Sequence, residues 1–598
     1  MAEKVVSPGV FTRERDLSFL PAGVQNIGAA IVGPTVKGPA LIPTLVSTFA
    51  EYRQLFGDVF ESGSGITRDN YSYLTSLAAE EYLKHHDSLT VVRIMAGAYA
   101  GASSTVGSEP LKDTGSYNTA FTLNTLSDGQ ILNSGNPTYA NMGSGSSVEE
   151  GTNSILSSGS KDNLRWETTN LNKSKGTFSL YIRVGNDTVK RKNILETWNN
   201  LSLDPNSTNF IAKRLGDAKN NLRGSGTTSP YIQASGSYLN KSKYVRVTVN
   251  QTTLNYLDEN GAVTNNAYTA SLPPNQSGSF YGGDDGTVQQ PQNFYQAITS
   301  TNSQGYDMTT AADGKTSYED AINLLANGDE YDINLLLLPG VIAAETGHST
   351  IAATAIQMCE DRGDCFAIVD PVVFGSTITD AVAEAENRDT NYAANYWPWI
   401  QIGDNYASKN VWVPPSVAMG GVYAFNDKVA AEWFAPAGLN RGGIEKAIQP
   451  ERKLTHGNRD TLYDSNVNPL ATFPNSGVVA FGQKTLQKKA SALDRVNVRR
   501  LLIAAKKFIA SSTRYLVFEQ NTSETRNRFL SIVNPYLESV QQRQGLYAFK
   551  VVMDESNNTP DVIDRNEMVG QLFLQPTRTA EFIIIDFNIL PTGAAFPE

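Results

Sequence analysis

Apolar positions along this chain switch between two spacings. Ile27 to Val32 is an apolar run closed by Gly33-Pro34, which predicts a buried strand. Tyr71 to His86 carries Tyr73, Leu74, Leu77, Ala78 and Leu83 at helical spacing, and Val91-Val92-Arg93-Ile94 predicts the next strand. Further on, Ser317-x-x-Asp320 predicts a capped helix running through Leu324-Leu325. A strand over Ile333–Leu338, a helix around Ile351–Asp361 and a strand over Phe366–Val369, ended by Asp370-Pro371, follow in order. Strand, loop, helix, strand is a crossover unit, so this part predicts a parallel sheet. Strong helices are expected over Arg495–Ala510 and Glu524–Arg543, with strands closing the chain.

Between these blocks the pattern changes. From about Gly97 to Leu164, Gly, Ser, Asn and Thr dominate and no helical period survives, which predicts a β-rich or loop-rich insertion. Alternation over 177–184 (Phe178, Leu180, Ile182, Val184) and over Tyr244–Val249 predicts half-buried strands, while Ile194 to Leu215 has helix-like stretches. Residues 254–312 are polar and Gly-rich, Trp397 to Asn475 is mixed, and no internal repeat is visible. The fold class expected is therefore a multidomain α+β and α/β chain, with a mixed-sheet core, flanking helices and a β-rich insertion.

Both ends of the sequence read as strands. Glu581-Phe582-Ile583-Ile584-Ile585-Asp586-Phe587-Asn588-Ile589-Leu590 is β-branched, aromatic and almost uncharged. An unpaired strand of that composition is an aggregation hazard, so it completes a sheet, either its own or that of a neighbouring chain. Val5 to Thr12, which includes Val10 and Phe11, is a second extended segment, followed by Arg13-Glu14-Arg15-Asp16 and a body starting near Asn26. Two strand-forming tails suggest strand addition between subunits, or two tails folded back on their own domain.

Composition narrows the classes. A chain of 598 residues is too long for one core and predicts three to five domains. A net charge of −11 argues against wholesale nucleic-acid binding. Two cysteines exclude a disulfide scaffold and suit a reducing compartment, and no charged-then-apolar leader is visible. The richest apolar run, Leu335 to Leu338, stops at Pro339-Gly340 and is too short to span a bilayer. The picture expected is a soluble intracellular protein.

Candidate chemistry is thin. Gly314-Lys315-Thr316 has the tail of a phosphate-binding loop, but Thr309 stands where its first Gly belongs, so it reads as a turn before a helix. Cys359, Cys365 and His348 match no common zinc spacing, and the two thiols are expected to be buried and free. His348 and His456 are expected in polar loops, and Asp284-Asp285 in a tight turn. The basic run from Lys484 to Arg514, against a single Asp494, is a local reversal in an acidic chain. Its helix puts Arg499, Arg500, Lys506 and Lys507 off the apolar face, which makes them either a docking surface for an acidic partner or a solvated face.

The run Trp433-Phe434-Ala435-Pro436-Ala437-Gly438-Leu439-Asn440-Arg441-Gly442 closely resembles the signature of contractile tail sheath proteins of myovirus-type bacteriophages. Trp397-Pro398-Trp399, Val413-Pro414-Pro415-Ser416 and Asn426-Asp427 precede it in the same order, and Ser7-Pro8-Gly9-Val10, Gly282-Gly283-Asp284-Asp285-Gly286 and Asp370-Pro371 lie further upstream. The resemblance covers roughly 5–98 and 166–598. It implies an N-terminal arm over 1–24, a middle domain over 25–98 and 166–380, a variable outer insertion over 99–165, a C-terminal domain over 381–575 and a C-terminal arm over 576–598. It also implies a non-enzymatic subunit without cofactor that forms hexameric rings stacked helically around a tail tube protein. Val10, Phe11, Phe582, Ile583, Ile584, Ile585 and Phe587 would lie in arms that add strands to a sheet of another subunit. Arg499, Arg500, Lys506 and Lys507 are expected to face the tube. Baseplate and tail terminator proteins would be the other partners, with no direct contact to nucleic acid or membrane, in a virion tail assembled in the host cytoplasm. The rival readings are a sheath subunit of a bacterial contractile injection system and an enzyme on the α/β core.

Overall fold

The structure, a computed structural model, describes residues 28–62, 69–108, 119–134, 159–188, 190–289, 293–474 and 476–582. The chain divides into a unit of residues 28–504 with 576–598 and a unit of residues 1–27 with 505–575.

The larger unit is organised by an eight-stranded sheet. Its spatial order is Thr44–Val46, Leu89–Arg93, Gly28–Gly33, Ile333–Ile342, Phe366–Asp370, Ala393–Trp397, Val467–Phe473 and Gly477–Ala480. The six inner strands are parallel, and the short strand at each edge runs antiparallel to its neighbour. Parallel strands need crossovers that cover the faces, so both sides of this sheet are dry. Alternation along each strand shows it: Ala29, Ile31, Leu335, Leu337, Phe366 and Ile368 enter one apolar layer. Ala30, Val32, Leu336, Leu338, Ala367 and Val369 enter the opposite layer. The first layer is closed by the helices Leu74–Leu83 and Ser416–Val429, through Leu77, Ala78, Val417, Met419 and Tyr423. The second is closed by Thr316–Leu324 and His348–Arg362, through Tyr318, Ile322, Ile351, Ala355 and Cys359. Leu335 to Leu338 thus serve two layers, and each buried leucine contributes about 1.5–3 kcal/mol.

Between Leu89–Arg93 and Ile333–Ile342 the chain leaves this sheet and builds a separate β core. A three-stranded sheet joins Gly101–Gly107, Thr119–Asp128 and Val245–Val249, and a four-stranded one joins Leu164–Asn172, Thr177–Val184, Ile194–Ser202 and Gln276–Ser279. Val106, Phe121, Trp166, Phe178, Leu201, Val247 and Phe280 share its apolar cluster. The boundary expected at residue 165 is corrected by this packing, because strands on both sides of it bury the same cluster. The boundary expected at 380 likewise falls between Phe366–Asp370 and Ala393–Trp397, which are adjacent parallel strands of one sheet.

Three local expectations change for physical reasons. Ile194–Ser202 is a strand rather than helix-like, because it pairs antiparallel with Thr177–Val184 and sets Trp198 opposite Leu180. Only Ile211–Leu215 in that stretch is helical. Tyr71 and Ser72 belong to a strand, and the helix starts at Leu74. Ser317 and Asp320 do not form the expected capping box: the Ser317 hydroxyl donates to the Met95 carbonyl at 2.8 Å, and Asp320 accepts from the Ser225 hydroxyl at 2.6 Å and the Gly226 N–H at 2.8 Å.

In the smaller unit, the helix Ser523–Gln542 and the part of helix Val496–Thr513 from Ala505 onward are followed by a two-stranded sheet of Leu546–Val552 and Gln571–Pro576. Phe508 stacks on Tyr536 with ring centroids 3.9 Å apart, and Val533, Leu537, Val540, Leu546 and Met553 are buried. That sheet has no third strand among the described residues. Tyr547 (65 %) and Phe573 (56 %) on its strands stay exposed.

Candidate functional site

The features singled out in the sequence are the basic helix, the Trp433–Gly442 run and the two tails. Val10, Phe11, Ile583, Ile584, Ile585 and Phe587 lie outside the described residues, so the tails are visible only at the root of the C-terminal one, up to Phe582.

The basic helix is not a uniform charged face. Arg499 and Arg500 are each only 4 % exposed. The Arg500 guanidinium donates to both Asp427 oxygens, from Nη1 at 2.7 Å and from Nη2 at 2.5 Å, and lies over the Tyr423 ring. Burial alone would lower its pKa, but the Asp427 carboxylate outweighs burial and holds it above the usual arginine value. Arg499 donates to the Asn391 side chain at 3.1 Å and stacks over Tyr392 at 3.9 Å, and burial lowers its pKa. The expectation that these two arginines form a tube-facing surface is therefore corrected: they are internal struts of the larger unit. Lys507 is also buried, and Lys506 alone of the four is exposed. A bidentate buried pair is costly to break, because the surviving partner is left as an uncompensated charge.

The Trp433–Gly442 run is a stitched loop after the helix Ser416–Val429. Asn426 Nδ2 donates to the Ala431 and Phe434 carbonyls at 3.0 and 3.1 Å, and Arg441 lies over the Phe434 ring while its Nε donates to the Ala435 carbonyl. The loop then covers the edge strand Gly477–Ala480: the Gly438 N–H donates to the Ala480 carbonyl, the Ala480 N–H to the Gly442 carbonyl and the Ile444 N–H to the Val478 carbonyl. Gly438 sits at φ +85°, which a side chain disfavours, and a Cβ at Gly442 would lie 2.6 Å from the Ala480 oxygen. Trp433 and Pro436 are buried and Asn440 is exposed. The run closes one edge of the sheet against further pairing.

At the root of the C-terminal tail, Glu581 is received by three groups of the larger unit. Its Oε1 accepts from Arg495 Nε at 2.8 Å and Gln483 Nε2 at 3.0 Å, and its Oε2 accepts from the Tyr463 hydroxyl at 2.9 Å. Gln483 Nε2 also donates to the Thr579 hydroxyl at 2.6 Å. Burial would raise the Glu581 carboxyl, but Arg495 and the two other donors outweigh it and hold it below the usual glutamate range. Sequence reasoning missed this constellation. Its one visible signal was an acid at the head of a mostly apolar run.

Other candidates resolve blandly. The two thiols are buried and free as expected, and Asp284 accepts from the Gly286 N–H as a turn aspartate. His348 is not in a polar loop: it is buried at a helix start, its Nδ1 accepts from the Ile342 N–H, and burial lowers its pKa to about 4. His456 opens the helix His456–Asp464 rather than lying in a loop. No group of metal-binding side chains and no helix long and apolar enough to cross a membrane occurs among the described residues.

Residues 314–486 match the phage tail sheath protein central domain, and residues 488–589 match the phage tail sheath C-terminal domain. Over these two regions, which make up less than half of the chain, it is similar to phage tail sheath proteins. The tail sheath protein of Vibrio phage KVP40 is 32 % identical over 324 residues, covering 50 % of this chain and 48 % of that protein. The tail sheath protein of Enterobacteria phage T4 is 34 % identical over 298 residues, covering 47 % and 45 %. The chain thus matches about half the length of these curated sheath relatives. The crystal structure of a sheath tail protein from Listeria innocua shares the fold, with a TM-score of 0.51, 10 % identity and coverage of 92 % of this chain and 95 % of that one. The stitched loop and Asp427 fall within the sheath central domain, and Arg495, Arg500 and Glu581 within the sheath C-terminal domain.

Proposed function

We propose that this chain is the structural subunit of a contractile phage tail sheath. It polymerises as stacked hexameric rings around a tail tube and contracts to drive the tube through the host envelope. The observation that carries this reading is the adjacent match to both sheath domains, 314–486 and 488–589. Its partners are copies of itself, the tube protein, the baseplate and the tail terminator, in a virion tail assembled in the host cytoplasm. It acts without catalysis and without direct contact to nucleic acid or membrane. That both named relatives are phage proteins favours a phage tail over a bacterial injection machine.

In this reading the two-stranded sheet Leu546–Val552 and Gln571–Pro576 is the acceptor for tails of neighbouring copies. An isolated two-stranded sheet is marginal in water, and added strands satisfy its free backbone groups and cover Tyr547 and Phe573. The segments around Val10, Phe11 and Phe582–Phe587 supply those strands. Such an interface is head-to-tail and does not close on itself, so it builds a filament. The extended lattice is metastable and held by a barrier, which places the energy of contraction in assembly rather than in a nucleotide. The β core that begins at Gly101 packs around its own cluster, and in this reading the insertion over 99–165 is the outermost part of the subunit.

Electron microscopy of the purified protein tests the reading. Long tubes are expected, and small discrete particles at all concentrations would overturn it.

A further inference from the structure

The tail that the proposed function sends to a neighbour must leave its own subunit in a defined direction. The residues that receive Glu581 come from three separate places in the larger unit. Tyr463 stands near the end of the helix His456–Asp464, Gln483 follows the strand Gly477–Ala480, and Arg495 directly precedes the helix Val496–Thr513. Those places are themselves tied together. The Val496 N–H donates to the Gln483 carbonyl at 2.9 Å and the Thr485 N–H to the Asp494 carbonyl at 3.0 Å. Asn468 bridges its own strand to this corner, its Oδ1 accepting from the Lys484 N–H and its Nδ2 donating to the Asn395 and Lys484 carbonyls. Lys484 Nζ donates to the Tyr463 carbonyl at 2.6 Å. The backbone segments that carry the three receiving side chains are therefore tied together without the tail.

A carboxylate bound by three donors in fixed positions has one low-energy placement, whereas an apolar strand residue tolerates sliding. Glu581 is 18 % exposed at its side chain, and Phe582 immediately after it is 76 % exposed. The change from held to free thus occurs within one residue. Resting on the sheath reading, we infer that Glu581, received by Arg495, Gln483 and Tyr463, is a latch that fixes where the C-terminal tail leaves its subunit and the register in which its strand reaches the acceptor. Glu581 is a positioning residue: it makes the strand's reach constant from subunit to subunit, which a helical lattice requires.

Trypsin provides a direct probe. Arg578 is exposed and lies just before Thr579 and Glu581, so cleavage after it releases the fragment 579–598, which mass spectrometry identifies. Glu581→Gln and Arg495→Met are each expected to speed release of that fragment about tenfold, the cost of one charge-assisted hydrogen bond. The double variant should be no more sensitive than Glu581→Gln alone, because the charge-assisted Arg495 contact is already lost there. Thermal unfolding should stay at the wild-type temperature, since neither side chain belongs to an apolar layer. In the same preparations, Glu581→Gln should give severalfold fewer regular tubes than wild type by electron microscopy. Unchanged cleavage in Glu581→Gln overturns the latch. Faster cleavage with wild-type tubes overturns its role in register. If wild type forms no tubes, the sheath reading fails, and the cleavage ratio still decides whether the latch exists.

Discussion

Two sheets of this protein differ in how complete they are. The eight-stranded sheet is covered on both faces, carries short antiparallel strands at both edges and has the Gly438–Ile444 stretch bonded along its Gly477–Ala480 edge. The sheet of Leu546–Val552 and Gln571–Pro576 has two strands and leaves Tyr547 and Phe573 in water. The first sheet is completed within the single chain, and the second is the acceptor that the proposed sheath assembly would use. The same contrast separates two charged clusters. Arg500–Asp427 lies among the rings of the closed unit, while Arg495–Glu581 sits at the base of a tail.

Substitutions that act on only one side of this contrast sharpen it. Leu337→Ala, in a layer of the closed sheet, should destabilise the larger unit by about 3–4 kcal/mol in denaturant unfolding. Asp427→Ala strands the Arg500 charge and should cost about 3 kcal/mol by the same measurement. A loss below about 1 kcal/mol there would return Arg500 to the status of a solvated side chain. On the open side, Phe573→Ser should change stability by less than about 0.5 kcal/mol. Its effect should appear only as lost tube formation in sedimentation, and wild-type sedimentation would remove this sheet from the interface.

The smallest effect is a pH dependence confined to the tail. The Glu581 pKa is held below its unfolded value, so its contribution is present above the ordinary glutamate range and disappears as pH falls through the lowered value. A dye on Leu590→Cys should therefore keep its anisotropy from neutral pH down to about 4.3, the free glutamate value, and lose it below that. The Glu581→Gln background should show low anisotropy throughout. A wild-type change centred between pH 5 and 7 would assign the transition to another group.

Much of the closed sheet was legible because its strands are continuous apolar runs: Ile27–Val32, Val91–Ile94, Ile333–Leu338 and Phe366–Val369 all mark strands that the structure contains. The insertion's extent was not, because Gln276–Ser279 and Leu164–Asn172 are polar strands whose identity depends on partners more than a hundred residues away. Ile194–Ser202 is also polar, and its strand character depends on pairing with the nearby Thr177–Val184. Charge patterning misplaced Arg499 and Arg500, because a helical wheel counts charges and does not show that Asp427 and Tyr392 wait behind them. The Glu581 cluster was invisible for a related reason: Tyr463, Gln483, Arg495 and Glu581 converge only through the fold.

The central claim is that the C-terminal tail serves assembly and not the folding of its own subunit. Deleting 577–598 and comparing the truncated and full-length proteins at equal concentration by sedimentation velocity tests it most directly. The truncated protein should sediment as a folded monomer with the unfolding transition of the full chain, while the full chain forms polymers of tens of subunits or more. Polymers of normal size from the truncated protein, or its failure to fold, would contradict the account.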